Sequence, residues 1–393
     1  MNIPTETGLA AGVSTGHPLV TSAALEILQK GGNAFDAGAA ALLVGGVVEQ
    51  DLYSLGGEGL VLVYPLSEKK VTAVVGQGWA PKAVDVDWYL SRGKSLEGNG
   101  LDPAVVPGAL HAALTVLEKW GTMSFETVSA RAIEYARDGF PLSAHLRASL
   151  ESHLEQFRGE PDVARNFLRK GEVPPVGTVI RQPELARTLE QLAKHGLRSF
   201  YEGELAHKLV DAIHAQGGIW SADDLAGYHV IERKPLVGQY RGARVVSAPP
   251  PSSGGVVLLE ALNILEPYDV EHLDPADRRH VVIEAMRRAY RDRAAYLGDP
   301  DFVKVPLELL TNPAYAAGQR ASIRPDKAMP SDLLPGVSEA PGGTQTTHFS
   351  VLDQDGNRVA ATISVNLWLG TGYTAGRTGV LLNNTMDDFS KKP

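Results

Sequence analysis

The chain has 393 residues, 44% hydrophobic and 21% charged, with a formal net charge of −9 and no cysteine. That length provides for a sizeable core in two or three domains or in one large layered sandwich, and no stretch approaches the run of about 18 apolar residues that a membrane span needs. The acidic balance excludes a nucleic-acid partner, which calls for clustered Lys and Arg, and the missing cysteines exclude disulfides, thiolate nucleophiles and cysteine-based metal sites.

The opening Met1 to Glu6 has neither a basic region nor an apolar one, so no secretory signal is read there. A cytoplasmic location is expected, with a periplasmic or secreted one left open if a leader has been trimmed. Pro18 to Gly32 then predicts a helix with Leu25, Ile27 and Leu28 as its apolar stripe, ended by Gly31-Gly32. Ala34 to Val48 is so rich in Ala, Leu and Val that a helix buried on most sides is expected. Leu60 to Tyr64 and Val71 to Val75 have strand character, and helical periodicity marks 108–120, 124–138, 183–195 and 202–216. Strand character returns at 242–248. The break Pro249 to Gly255 precedes an amphipathic helix at 256–265, and a further helix is expected over 284–297. The segment 326–344 is loop-like, rich in Pro, Gly, Ser and acidic residues, with a turn at Pro341-Gly342-Gly343, and is where a cleavable connection would sit.

Several motifs have ordinary readings. Gly12-Val13-Ser14-Thr15-Gly16 matches the G-x-S-x-G elbow of serine hydrolases, which needs a strand, Leu9 to Val13, before the serine and a helix directly after it. The plainer reading is a turn whose Ser14 or Thr15 caps the next helix. Gly56-Gly57-Glu58-Gly59 has neither phosphate-loop form and reads as a tight, close-packed turn. His145 and His153 lack metal-ligand spacing. The run Arg287, Arg288, Arg291, Arg293, broken by Asp292, has the spacing of a solvated or salt-bridged helix face.

The junction Gln345-Thr346-Thr347-His348-Phe349-Ser350 carries chemistry. A threonine hydroxyl is a poor nucleophile unless a base stands beside it, and the free α-amine of an N-terminal threonine is such a base within the same residue. Cleavage between Gln345 and Thr346 would create it, by attack of the Thr346 hydroxyl on the Gln345 carbonyl and hydrolysis of the resulting ester. Beyond it, 347–352 and 358–366 alternate around Asp355-Gly356, the signal for a hairpin. A two-residue loop sets Ser364 diagonally from Thr346. A three-residue loop with Gly356 left-handed sets the two directly opposite, where Ser364 could orient the Thr346 hydroxyl.

The Thr346 junction, the run Asn383-Asn384-Thr385-Met386-Asp387-Asp388-Phe389, the segments at 31–37, 106–108, 249–255 and 298–302, and Glu284-Ala285-Met286 with Tyr290 and Asp292-Arg293 together resemble the gamma-glutamyltransferase family of N-terminal-nucleophile hydrolases. The resemblance implies an α+β fold, a four-layer αββα sandwich, in which 1–345 and 346–393 are two cleaved pieces of one composite domain. It implies a cofactor-free transfer of a γ-glutamyl group from glutathione-like amides to water or an amino acid, and a heterodimer of the protein's own two pieces. Thr346 matches the family's nucleophile, Ser364 its hydroxyl partner (usually Thr), Asn366 a substrate-binding asparagine, and Asp388 the aspartate holding the substrate's α-amino group. Three departures stand out. Gln77 occupies the place of the arginine that clamps the α-carboxylate, and glutamine has no charged, bidentate fork. Thr385 stands where Gln or Glu is usual. The family's pattern also continues well beyond Pro393, through a Gly-Gly turn that supplies an oxyanion hole, so this stretch is expected to be a C-terminally truncated form, weak or inactive by itself. The first two departures admit amides other than γ-glutamyl ones, such as oxamate-like amides or cephalosporin acyl side chains; the third admits a non-catalytic relative.

Overall fold

The computed structural model describes residues 8, 10–91, 100–196, 198–334 and 345–389. Met1 to Glu6, Leu9, the turn at 341–343 and Pro393 lie outside the described residues. The chain divides into two compact units, one from 1–232 with 343–393 and the other from 233–342.

The first unit is built on a six-stranded sheet of order β1-β9-β10-β2-β3-β6. Its strands are β1 (Gly12–Ser14), β2 (Glu58–Tyr64), β3 (Thr72–Gly76), β6 (Ile231–Arg233), where the chain leaves this unit, and the hairpin β9 (Thr346–Leu352) and β10 (Arg358–Ser364). A two-stranded ladder of β4 (Phe140–Pro141) and β5 (Val179–Ile180) lies apart from it. Alternation decides which face of the sheet is covered: Thr347, Phe349 and Val351 on β9 and Val359, Ala361 and Ile363 on β10 are buried, while their even-numbered neighbours face the open side. Against the covered face pack the helices Ala34–Val48 and Ala109–Trp120. The described residues thus supply one central sheet and its helical layer, two of the four layers expected.

Helix Ala34–Val48 has every residue buried, as its composition predicts. It is tied in at its start. Asn33 and Asp36 form a capping box. The buried Asp36 also accepts from the backbone N–H groups of Thr122 and Met123 and from the Thr122 hydroxyl. Asp353, in the β9–β10 turn, accepts from the Ala34 N–H at 2.9 Å, so the hairpin and the helix terminus share one carboxylate.

The helices expected at 108–120, 124–138, 183–195 and 202–216 form with ends shifted by two residues at most, as Ala109–Trp120, Phe125–Asp138, Pro183–His195 and Glu204–Ala215. The first helix spans Pro18–Gln29, and its buried residues are Val20, Ala23, Ala24 and Ile27, with Leu25 exposed. Its N-cap is His17, whose Nδ1 accepts from Leu19 N–H at 3.1 Å, and so neither Ser14 nor Thr15. Ser14 ends β1, paired with Ser350, and the helix starts four positions later. No nucleophile elbow exists there.

The second unit holds the hairpin β7 (Leu236–Tyr240) and β8 (Ala243–Ser247) and the helices Gly254–Leu265, Pro275–Tyr296 and Pro313–Arg320. The helix expected from 284 begins at Pro275, nine residues earlier, because Asp274 caps it. The arginine run on this helix is salt-bridged but only partly solvated. Arg288 is fully buried against Glu284 at 2.7 Å, Arg287 meets the same carboxylate at 2.6 Å, and Arg291 pairs with Asp292 at 2.6 Å. No described helix is long and apolar enough to cross a membrane.

Candidate active site

The hairpin settles its register by the shape of its turn. Asp353 N–H donates to Asn357 O, Gly356 N–H donates to Asp353 O, and Gly356 sits at φ +87°, a conformation that glycine adopts without strain. The loop is therefore the three-residue one, and Thr346 lies directly opposite Ser364. Their hydroxyls are 3.0 Å apart.

The Ser364 hydroxyl lies among three groups. It accepts from the Asn366 N–H at 2.9 Å, faces the Thr346 hydroxyl, and donates to the Gln345 carbonyl oxygen at 3.2 Å. A serine has one hydrogen to give. With that hydrogen on the Gln345 oxygen, the Thr346 hydroxyl is the donor to Ser364. One side chain then polarises the carbonyl of the Gln345–Thr346 bond and draws on the hydroxyl that could attack it.

The same rung continues across the sheet. Ser364 also pairs with Glu58 at the start of β2, and directly opposed residues project to one face. Carried one residue beyond its last pair, Gly59 with Gly76, the β2–β3 register sets Gln77 across from Glu58. Thr346, Ser364 and Glu58 so form one row on the open face, and Gln77 follows directly after the last residue of β3. The Glu58 carboxylate accepts from the Gly78 N–H at 3.3 Å. Desolvation, and the negative charge of Asp388 beside it, push its pKa up to about 7. Gln77 Oε1 is buried without a hydrogen-bond partner among the described residues, as are Thr385 Oγ1 and Asn384 Nδ2.

The segment after β10 folds back to bring Asp388 here. Asn383 is fully buried, its amide donating to Gly56 O at 2.7 Å and Val105 O at 2.9 Å while its Oδ1 accepts from Val105 N–H. Asn366 holds φ +75°, and its amide donates to Asn384 O at 3.1 Å. These bonds set the 3-10 turn Thr385–Asp388 at the end of the row. Gly56 and Gly57 make the close-packed turn expected of them: a Cβ would come within 2.2 Å of Leu381 O at the first and 2.4 Å of Ser364 O at the second.

On the covered face, Glu49 accepts a hydrogen bond from Thr347, and burial with the neighbouring Asp51 charge pushes its carboxyl up to about 7. Asp51 accepts from Ser149 at 2.8 Å and faces His145 at 3.3 Å. Among the described residues no group of three or more His, Asp or Glu side chains could hold a metal ion.

The structure brings Thr346, Ser364, Asn366 and Gln345 together, with Gln77, Thr385 and Asp388 beyond them. Sequence reasoning passed over Glu58 and Glu49. The signal for Glu58 was an acid opening an otherwise apolar strand, a charge that nothing nearby in sequence satisfies.

Residues 20–393 match the family model described as gamma-glutamyltranspeptidase. The chain belongs to the gamma-glutamyltranspeptidase family. It is 39% identical to the glutathione hydrolase proenzyme of Escherichia coli (strain K12) over 95% of its own length and 66% of that relative's. The cephalosporin acylase of Bacillus halodurans superposes with a TM-score of 0.88 at 30% identity, over all of this chain and 73% of that one. The Helicobacter pylori gamma-glutamyltranspeptidase gives 0.79 at 33%, over 87% of this chain and all of that one. The fold is accordingly that of the N-terminal-nucleophile hydrolases, as the resemblance implied. The chain spans about two thirds of the length of the curated relatives.

Proposed function

We propose that this chain carries the nucleophile-bearing part of a self-processing threonine amidohydrolase or acyltransferase, with Thr346 as nucleophile. The observation that carries the reading is the placing of Ser364, 3.0 Å from the Thr346 hydroxyl and 3.2 Å from the Gln345 carbonyl oxygen. In the first stage Thr346 Oγ adds to the Gln345 carbonyl, Ser364 stabilises the oxygen as it takes up negative charge, and the C–N bond breaks to leave an ester and a free α-amine. Water opens the ester, separating 1–345 from the piece that begins at Thr346. In the second stage that amine accepts the hydroxyl proton, Thr346 Oγ attacks a substrate amide, the amine product leaves with a proton, and water or an amino acid resolves the acyl-enzyme. No step needs a cofactor.

Membership of the family, and the named activities of its relatives, support γ-glutamyl amides such as glutathione as donors. Asn366, Asp388, Thr385 and Gln77 are assigned to substrate binding in this reading. A second reading, hydrolysis of amides that are not γ-glutamyl, is favoured by Gln77 and by the likeness to a cephalosporin acylase. Full-length protein and its Thr346→Ala variant, assayed with γ-glutamyl p-nitroanilide and with cephalosporin amides, test both. Loss of all turnover in the variant is expected; turnover that survives it would contradict the assignment of the nucleophile.

A further inference from the structure

On the covered face of the sheet, one residue from the bond that breaks, two buried carboxyls stand at the end of a helix. Glu49 caps the C-terminus of helix Ala34–Val48, and Asp51 lies two positions on; both are buried. A helix C-terminus carries partial negative charge and favours a cation beside it. Glu49 accepts a hydrogen bond from the hydroxyl of Thr347, the residue next to the nucleophile on β9. The pair closes over the backbone of Gly16, where a Cβ would come within 2.6 Å of Glu49 Oε1 and of Thr347 Oγ1 alike. Covalent geometry sets Thr347 Oγ1 about 5 Å from the Thr346 nitrogen, so the hydrogen bond leaves the Glu49 carboxyl about 6 to 8 Å from that nitrogen. Asp51 and Tyr53 follow Glu49 in the same turn, and His145 meets Asp51 at 3.3 Å. On β9 the titratable side chain is His348, on the opposite face, and on β10 the charged one is Arg358, at the far end. Of the helices packed on Ala34–Val48, two bring Glu26, Arg131 and Glu134, which pair with one another. Helix Ala109–Trp120 brings Glu118 and Lys119, both exposed, and His111, bonded to Thr115 at 3.2 Å.

We infer that Glu49 is a positioning residue for the acid–base work of Thr346, its carboxylate acting through Thr347 as the counter-charge to the α-ammonium that cleavage makes possible. This rests on the reading of Thr346 as nucleophile. In the uncut chain the Thr346 nitrogen is a neutral amide, and burial with the Asp51 charge pushes the Glu49 carboxyl up to about 7. Cleavage turns that amide into an amine whose ordinary value is about 7.7 to 8.0. Once protonated, the amine favours the ionised form of Glu49, and the carboxylate favours the ammonium in return. The effect is largest where it matters for the reaction. As the hydroxyl proton passes from Thr346 Oγ to the amine, the ammonium forms against a fixed negative charge, so the amine is a stronger base than it would be alone. Thr347 contributes by holding the carboxylate: its hydroxyl donates to the charged form, which opposes the upward push of burial.

The test is the pH profile of kcat/KM between pH 5 and pH 9, measured on cleaved full-length protein with whichever amide the wild type turns over, γ-glutamyl p-nitroanilide or a cephalosporin amide. The acid limb of that profile reports the base of the free enzyme. Glu49→Gln, nearly isosteric, should move the limb about 0.5 to 1 pH unit lower, because the amine loses its counter-charge. The plateau above the limb should fall by about 2- to 10-fold, because the amine is then a weaker base. Glu49→Asp, which keeps the charge, should leave the limb within about 0.3 pH unit of the wild type. Thr347→Val, which keeps the carboxyl and removes the hydroxyl that holds it charged, should move the limb the same way by less, and serves if Glu49→Gln does not fold or is not cut. A general loss of packing lowers the plateau and leaves the limb in place. The inference is overturned if the limb in cleaved Glu49→Gln stays where it is or moves to higher pH, if Glu49→Asp shifts it as far as Glu49→Gln does, or if Thr347→Val moves it upward. Turnover surviving in Thr346→Ala would instead remove the nucleophile assignment beneath it.

Discussion

At the scale of single residues, the Ser364 hydroxyl determines whether the Gln345–Thr346 bond is poised to break. It is held by the Asn366 N–H, so its remaining hydrogen is directed at either the Gln345 oxygen or the Thr346 hydroxyl. Removing one preorganised donor from a developing oxyanion typically slows a reaction about 10²- to 10³-fold. Ser364→Ala should slow cleavage of the chain to that degree, followed as the fraction of uncut protein against time, whereas Ser364→Thr, which keeps the hydroxyl, should cleave within a few-fold of the wild type. Equal rates in Ser364→Ala and the wild type would show that the hydroxyl is a bystander. His348 and Thr362, one rung further along the hairpin at 2.9 Å from one another, sit on the same open face.

At the scale of elements, the β9–β10 turn and the start of helix Ala34–Val48 stand or fall together through Asp353. Its oxygens accept from the backbone N–H groups of Ala34, Asp355 and Asn357 and from the Asn357 amide. Bonds to a charged group contribute about 1.5 to 3 kcal/mol each in favourable cases, and neighbours that share one carboxylate do not add. Asp353→Ala should therefore destabilise the protein by about 2 to 4 kcal/mol in urea unfolding; a change under about 0.5 kcal/mol would mean that the turn holds its shape without it. The hairpin was legible in the sequence because alternation and Asp355-Gly356 announce it. The register was not, since the choice between loop lengths depends on the hydrogen bonds that Asp353 makes inside the turn. Helix Ala34–Val48 was legible from composition alone. The start of Pro275–Tyr296 was missed although Asp274-Pro275 is a capping signal, because its first two turns are polar and show no apolar stripe. Glu58 stayed hidden because its meaning comes from Ser364 and Asp388, some 300 positions away in sequence and adjacent only through the sheet.

Across the whole molecule, the piece beginning at Thr346 is woven into the rest: β9 and β10 lie between β1 and β2, both contributed by the earlier piece. The two cleaved chains should therefore co-elute in size-exclusion chromatography and separate only under denaturant. Elution of the shorter chain alone in native buffer would contradict this topology. Glu49 and Glu58 are each pushed from the ordinary 4.5 up to about 7, so the folded state keeps protons that the unfolded chain releases. Their contribution to stability is greatest below about pH 4.5, falls as the pH rises through about 7, and is level above that. A shift of this size corresponds to at most about 3.5 kcal/mol for each group. Glu49→Gln should accordingly flatten the loss of urea stability between pH 5 and pH 8, and an unchanged slope would mean that Glu49 is not the group responsible.

The catalytic role of Thr346 depends on its becoming a chain terminus. Intact-mass spectrometry of the purified full-length protein tests that most directly. The account predicts two chains, the first ending at Gln345 and the second beginning at Thr346. A single uncut chain, or a break at any other bond, would contradict it.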